Sequence, residues 1–220
     1  MLFIRHATTP GMRAARFPRA GAASFPCAGA ACSTGGGASS SGGGEADPAS
    51  LAKAASAAAL LPLVAGRPAW VSPARAAWQT AHALGLEPHV CAALGEADCG
   101  RWGGLPYEQV AREEPEALAR WLSDPHAAPH GGESLATLAR RVATWLDTAR
   151  APARRTPSAT PPPAADGIVV CDAGVIRAAL AHALGLTPTA TARFDLSPLS
   201  TTELLPTRDG WRVAHVNRKA

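Results

Sequence analysis

Leu2-Phe3-Ile4 runs directly into Arg5-His6, with Ala7-Thr8-Thr9 behind. Three apolar residues followed by small, hydroxylated ones read as a buried strand that breaks into a loop at its C-terminal edge. Open α/β sheets bind ligands at that edge, so the pair stands where chemistry is done. Arginine offers a planar fork for phosphate or carboxylate, and a neutral imidazole is a nucleophile near pH 7. Two later junctions repeat the pattern. Pro68–Val71 reads as a short strand, and Ser72-Pro73 opens a helix with Arg75 in its first turn, beside free backbone N–H groups that favour anions. Ile168–Cys171 reads as a buried strand that delivers Asp172 and turns through Ala173-Gly174 into a helix ending at Gly185. On residue types alone, ordinary polar strand ends remain an equal reading of each junction.

The intervening elements must position these groups. Asp47-Pro48 starts a helix expected to reach about Gly66, and the helix opened at Ser72-Pro73 should run through Leu84. Residues 89–94 form a further candidate strand, and 107–123 are helical with an interruption at Pro115. Glu133–Arg150 carries Leu135, Leu138, Val142, Trp145 and Leu146 on one stripe, the clearest helix of the chain. Thr201–Leu205 and Trp211–Val216 flank Arg208-Asp209-Gly210 as a hairpin. Residues 10–27 read as an active-site loop. Residues 28–46, almost wholly Gly, Ala and Ser, read as a flexible insertion, and the Pro-rich 151–166 as a surface loop.

Composition narrows the function classes. The 220 residues suit one α/β domain, here 1–220, with 47% apolar and 17% charged residues. No apolar run of about 18 residues spans a bilayer, and Arg5-His6 interrupts the start of the chain, so the expectation is a cytoplasmic protein without membrane contact. Five cysteines with no CxxC pair argue for reduced thiols, neither a disulfide framework nor a zinc site. Prolines and glycines around His126 and His130 exclude a helical metal pair, and no metal or cofactor is expected. The +4 formal charge is scattered arginine without an aromatic-interleaved stripe, which argues against nucleic acid.

Five blocks in order carry a resemblance. Ile4-Arg5-His6-Ala7-Thr8-Thr9 is similar to the opening signature of the histidine phosphatase superfamily, the phosphoglycerate mutase-like clan, with Ala7 where glycine is usual. Ser72-Pro73-Ala74-Arg75-Ala76 with Thr80-Ala81, Leu94–Gly104 around Glu96, Gly131-Gly132-Glu133-Ser134-Leu135, and Cys171–Ala178 resemble its later blocks. The resemblance implies a three-layer α/β/α sandwich with a mainly parallel sheet, capped by residues 10–46 and 97–132. It implies a phosphomonoester hydrolase acting on a small phosphorylated substrate without a metal, mutase chemistry being less expected. His6 would carry the phosphoryl group and Arg5 and Arg75 would bind its oxygens. Glu96 would be the acid, its pKa raised in a partly apolar loop beside Trp102, with Thr8, Arg13 and Ala173 as pocket neighbours. The resemblance also marks a departure, because Asp172 stands where the family has a second histidine. A carboxylate there opposes a dianion and could pair with Arg5 or Arg75 as a competing anion. Two readings stay open: an enzyme weakened by Asp172, and a degenerate phosphatase fold that binds a ligand or partner.

Overall fold

The computed structural model describes residues 1–19, 44–58, 66–151 and 163–219. The expectations for most of 28–46 and 151–166 therefore lie outside the described residues. The strands are β1 (Leu2–Arg5), β2 (Ala69–Val71), β3 (Pro88–Val90), β4 (Ile168–Cys171), β5 (Thr201–Thr207) and β6 (Gly210–Arg218). The helices are α1 (Pro10–Arg13), α2 (Pro48–Ala58), α3 (Arg75–Ala83), α4 (Tyr107–Glu113), α5 (Pro115–Ser123), α6 (Leu135–Arg150), α7 (Ala173–Leu184) and α8 (Pro188–Thr191). One sheet runs in the order β3-β2-β4-β1-β5-β6. The pairs β2–β3, β2–β4 and β1–β4 are parallel, and the C-terminal hairpin adds β5 and β6 antiparallel beside β1.

Strand alternation sorts the core into two layers. Leu2, Ile4, Ala69, Val71, Ile168 and Val170 pack with Ala54, Ala77, Ala81 and Leu84 from the α2–α3 side. Phe3, Trp70, Val169 and Cys171 face the other way, onto Leu138, Val142, Trp145 and Leu146 of α6 and Val175, Ile176 and Leu180 of α7. Helices thus cover both faces of a mainly parallel sheet, the expected three-layer sandwich. The central strands are buried on both faces, and accordingly read as continuous apolar runs.

A smaller aromatic core sits apart. Phe17, Cys99, Trp102 and Val110 pack with Leu105, Leu118 and Trp121, and an Arg16–Pro106 bridge joins the two expected cap segments. Local details differ from expectation for physical reasons. The loop expected from residue 10 begins as α1, because the Thr9 hydroxyl accepts from Met12 N and Pro10 is pre-set for a first helical turn. Helix α3 starts at Arg75 with Ala74 as N-cap, while Ser72 Oγ accepts from Ala74 N and donates to Asp172. Residues 89–94 divide into β3 and a 3₁₀ turn at Ala92–Leu94. Pro115 opens α5 after α4 ends, as an N1 proline can.

Candidate active site

The parallel register of β1 and β4 sets Arg5 opposite Cys171. The next residue of each strand, His6 and Asp172, therefore emerges side by side at the sheet's C-terminal edge. His6 is 5% exposed. Its Nδ1 lies 2.7 Å from the Ala7 carbonyl and its Nε2 lies 3.0 Å from Asp172 Oδ1. A carbonyl only accepts, so Nδ1 carries a hydrogen and Nε2 faces the carboxylate. Burial alone would lower the imidazole pKa, but the charge and hydrogen bond of Asp172, with the Ala7 carbonyl, raise it overall. Burial would likewise raise the Asp172 carboxyl. His6 outweighs that, helped by the Ser72 hydroxyl, which donates to Oδ2 at 3.2 Å, and by the charge of Arg5, and the net shift is downward. Both shifts favour an imidazolium against a carboxylate, the state in which neither ring nitrogen has a free lone pair. The expected partner of Asp172 was an arginine; strand register gives it His6 instead.

Glu96 joins this pair from the loop after the 3₁₀ turn. Its Oε2 accepts from Gly174 N at 2.9 Å and its Oε1 from Ala97 N at 2.8 Å. Burial, then the charge of Asp172, raises its pKa against the pull of the two amides. The expected cause, an apolar neighbour in Trp102, does not apply. That indole lies in the aromatic core and its Nε1 donates to Glu114 at 2.9 Å.

Arg5 belongs to the cluster. Its Nη1 donates to the Leu196 carbonyl, and Asp172, Glu96 and Asp195 all act on its charge. Arg75 does not join it. Its Nε pairs with Glu45 at 2.9 Å and its side chain is 54% exposed. The residue that α3 turns inward is Ala76, 2% exposed and packed on Ala7 and Ala46. One turn on, Thr80 Oγ1 accepts from Ala7 N at 2.9 Å. A helix places i and i+4 on one face, so the position of Thr80 fixes Ala76 inward and Arg75 outward. Sequence reading missed Ala76, Ser72 and Gly174; the phase of Ala76, Ala77, Thr80 and Ala81 was the signal available for the first. Among the named pocket neighbours, Ala173 opens α7 beside Asp172. Thr8 bonds the α2 segment through Ser50 Oγ and Asp47 N, and Arg13 pairs with Asp47 at 2.6 Å with its side chain 63% exposed.

Among the described residues no cluster of His, Cys, Asp and Glu is arranged to hold a metal, and no helix is long and apolar enough to cross a membrane. What the site gathers is an imidazole, the Arg5 guanidinium and two carboxyls, from the β1 and β4 strand-to-helix corners and the loop after the 3₁₀ turn.

Residues 46–219 match the model of the histidine phosphatase superfamily (branch 1), with Arg5 and His6 ahead of the matched span. A 56-residue stretch, 25% of this chain and 26% of the relative, is 41% identical to phosphoserine phosphatase 1 of Hydrogenobacter thermophilus. A 71-residue stretch, 30% of this chain and 32% of the relative, is 39% identical to glucosyl-3-phosphoglycerate phosphatase of Mycobacterium tuberculosis. The aligned stretches thus span about a quarter to a third of those relatives, and only 22% of the bifunctional protein Rv2228c of the same organism. A solved mycobacterial glucosyl-3-phosphoglycerate phosphatase in complex with VO3 matches 100% of this chain and 99% of that one at TM-score 0.73 and 23% identity, a likeness of fold. With most of its length inside the family model and its strand-to-helix corners converging on one site, the chain belongs to the histidine phosphatase superfamily, branch 1.

Proposed function

We propose that this chain is an attenuated phosphomonoester hydrolase, in which His6 takes the phosphoryl group and the Asp172 carboxylate holds the reaction back. The contact between His6 Nε2 and Asp172 Oδ1 carries the reading. Attack on phosphorus needs the Nε2 lone pair, and the resting pair has spent it on a proton. Moving that proton to Asp172 frees Nε2 and leaves a neutral carboxyl able to donate to a phosphoryl oxygen. The P–N bond then forms as the ester P–O bond breaks, and Glu96, whose pKa burial and the charge of Asp172 raise, gives a proton to the leaving oxygen. In the second half Glu96 takes a proton from water, whose oxygen attacks phosphorus as the P–N bond breaks. Each turnover pays for the unfavourable proton transfer at the outset. The substrate class is a small phosphorylated compound, in keeping with the names of the two phosphatases above.

A second reading, a degenerate fold that binds a ligand without turnover, is favoured by one observation: the inward α3 position packed on Ala7, next to His6 in the chain, is Ala76, while Arg75 is held by Glu45. Phosphoryl transfer relies on positive charge around the equatorial oxygens, so a missing fork weighs on the chemistry itself. Hydrolysis of an aryl phosphate, with acid-quenched trapping of phosphohistidine, separates the two. The enzyme reading expects a slow rate abolished by His6→Ala and raised roughly 10²-fold or more by Asp172→His, about the worth of one transition-state donor. No trapped phosphate in either the native protein or folded Asp172→His leaves the binding reading standing.

A further inference from the structure

Arg75 faces Glu45, yet a second guanidinium does stand near Arg5. Arg177, one turn into α7, donates from Nε at 3.3 Å and from Nη2 at 3.1 Å to the carbonyl of Phe194. Arg5 donates from Nη1 to the carbonyl of Leu196, two residues further along the same segment. Both forks are thus braced on one stretch of backbone, coming from β1 on one side and α7 on the other. Each keeps one terminal nitrogen, Nη2 of Arg5 and Nη1 of Arg177, without a hydrogen-bond partner among the described residues. Their charges act on one another: burial, then the like charge of Arg177, lowers the pKa of Arg5, while Asp172, Asp195 and Glu96 raise it. Arg177 also acts on the phenol of Tyr107, which burial, Cys99 and Glu96 push up to about 12.

We propose that Arg5 and Arg177 form a two-fork clamp for a tetrahedral oxyanion, with Arg177 supplying the guanidinium that Arg75 does not. Two like charges braced on carbonyls two residues apart, each with a spare donor, lose repulsion when an anion enters, and guanidinium forks match phosphate oxygens in geometry. The clamp deepens the hydrolase reading by naming the group that binds the phosphoryl oxygens, and it rests on that reading for the identity of the anion. It is tested without turnover.

The probe is inorganic phosphate, binding to the full chain by calorimetry. The native protein is expected to bind it saturably, Arg177→Gln at least tenfold more weakly, Arg177→Lys with an intermediate loss, and Arg75→Gln within twofold of native. Because Arg177 also braces Phe194, phenylglyoxal modification of the native protein gives a second measurement that needs no variant. Phosphate is expected to slow modification of Arg5 and Arg177 and to leave Arg75 unprotected, as read by mass spectrometry. Protection of Arg75 alone, unchanged affinity in folded Arg177→Gln, or no saturable binding overturns the clamp. Phosphate binding that depends on Arg177, with no phosphohistidine in any variant, sinks the hydrolase reading and keeps the clamp.

Discussion

The buried pair of His6 and Asp172 leaves a signature in stability. His6 has a folded pKa above its ordinary value and Asp172 one below its own. The pair therefore stabilises the fold fully between about pH 3.9 and pH 6.5, the unfolded values of the two groups. That contribution is lost as pH rises through the raised His6 value, and lost at the other end as pH falls through the lowered Asp172 value. Removing one partner of a buried pair costs about 3 kcal/mol. Asp172→Asn is accordingly expected to lower the urea midpoint strongly at pH 5 and much less at pH 9, and NMR titration of His6 should show its pKa fall. An equal penalty at both pH values would refute the ion pair. Residue types at the strand ends were legible in the sequence as candidates, because several blocks in order, and no single apolar run ending in Arg-His or Asp, pointed to a site. Their pairing was not, since register between strands more than 160 positions apart leaves no trace in local order.

At the scale of elements, Glu96 is placed by α7 as much as by its own loop. The Gly174 amide donates to its carboxyl, and a Cβ at Gly174 would stand 2.0 Å from Oε1. Helix propensity favours alanine over glycine by about 1 kcal/mol. Overpacking costs about 1–3 kcal/mol, and here it must also displace a buried carboxyl with two amide donors. Gly174→Ala is therefore expected to be net destabilising by about 1–2 kcal/mol in urea unfolding. In an Asp172→His background it should also cut hydrolysis tenfold or more through misplacement of the acid. A stabilised variant with unchanged rate would show that Glu96 is positioned by its own loop. Element starts were readable where one residue decides them: Ser134 caps α6 by accepting from Thr137 N, and Asp47 Oδ1 accepts from Ala49 N at the start of α2. The start of α3 was misjudged by the same logic. Ser72 Oγ donates to Asp172 and accepts from Ala74 N, two residues on, in place of a first-turn helical amide. Successive helical residues differ by a turn of 100°, so with Thr80 bonded to Ala7 the helix sets Ala76 inward and Arg75 against Glu45.

The whole molecule divides its apolar side chains between the sheet's two faces and the separate aromatic core of Phe17 and residues 99–121. Trp70, 1% exposed, ties the sheet to α6 through an edge contact with Trp145 at 6.0 Å. Phe17 anchors the other cluster, stacked on Tyr107 at 3.9 Å and tilted on Trp102 at 5.3 Å. The clusters share no packed residue, while the loop carrying Glu96 runs between them. Substitutions in clusters without common partners add, whereas neighbours couple by about 0.5–3 kcal/mol. Trp70→Phe and Phe17→Leu should each cost about 1–2 kcal/mol, and the double variant should lose their sum to within about 0.5 kcal/mol. Urea unfolding followed by tryptophan fluorescence and by far-UV circular dichroism measures both terms. Additive losses with coincident transitions mean that the cap unfolds with the sandwich yet packs independently of it. A coupling above about 1 kcal/mol would mean that the cap's packing reaches the sheet through the Glu96 loop, and the site would then feel substitutions in the cap that touch none of its residues.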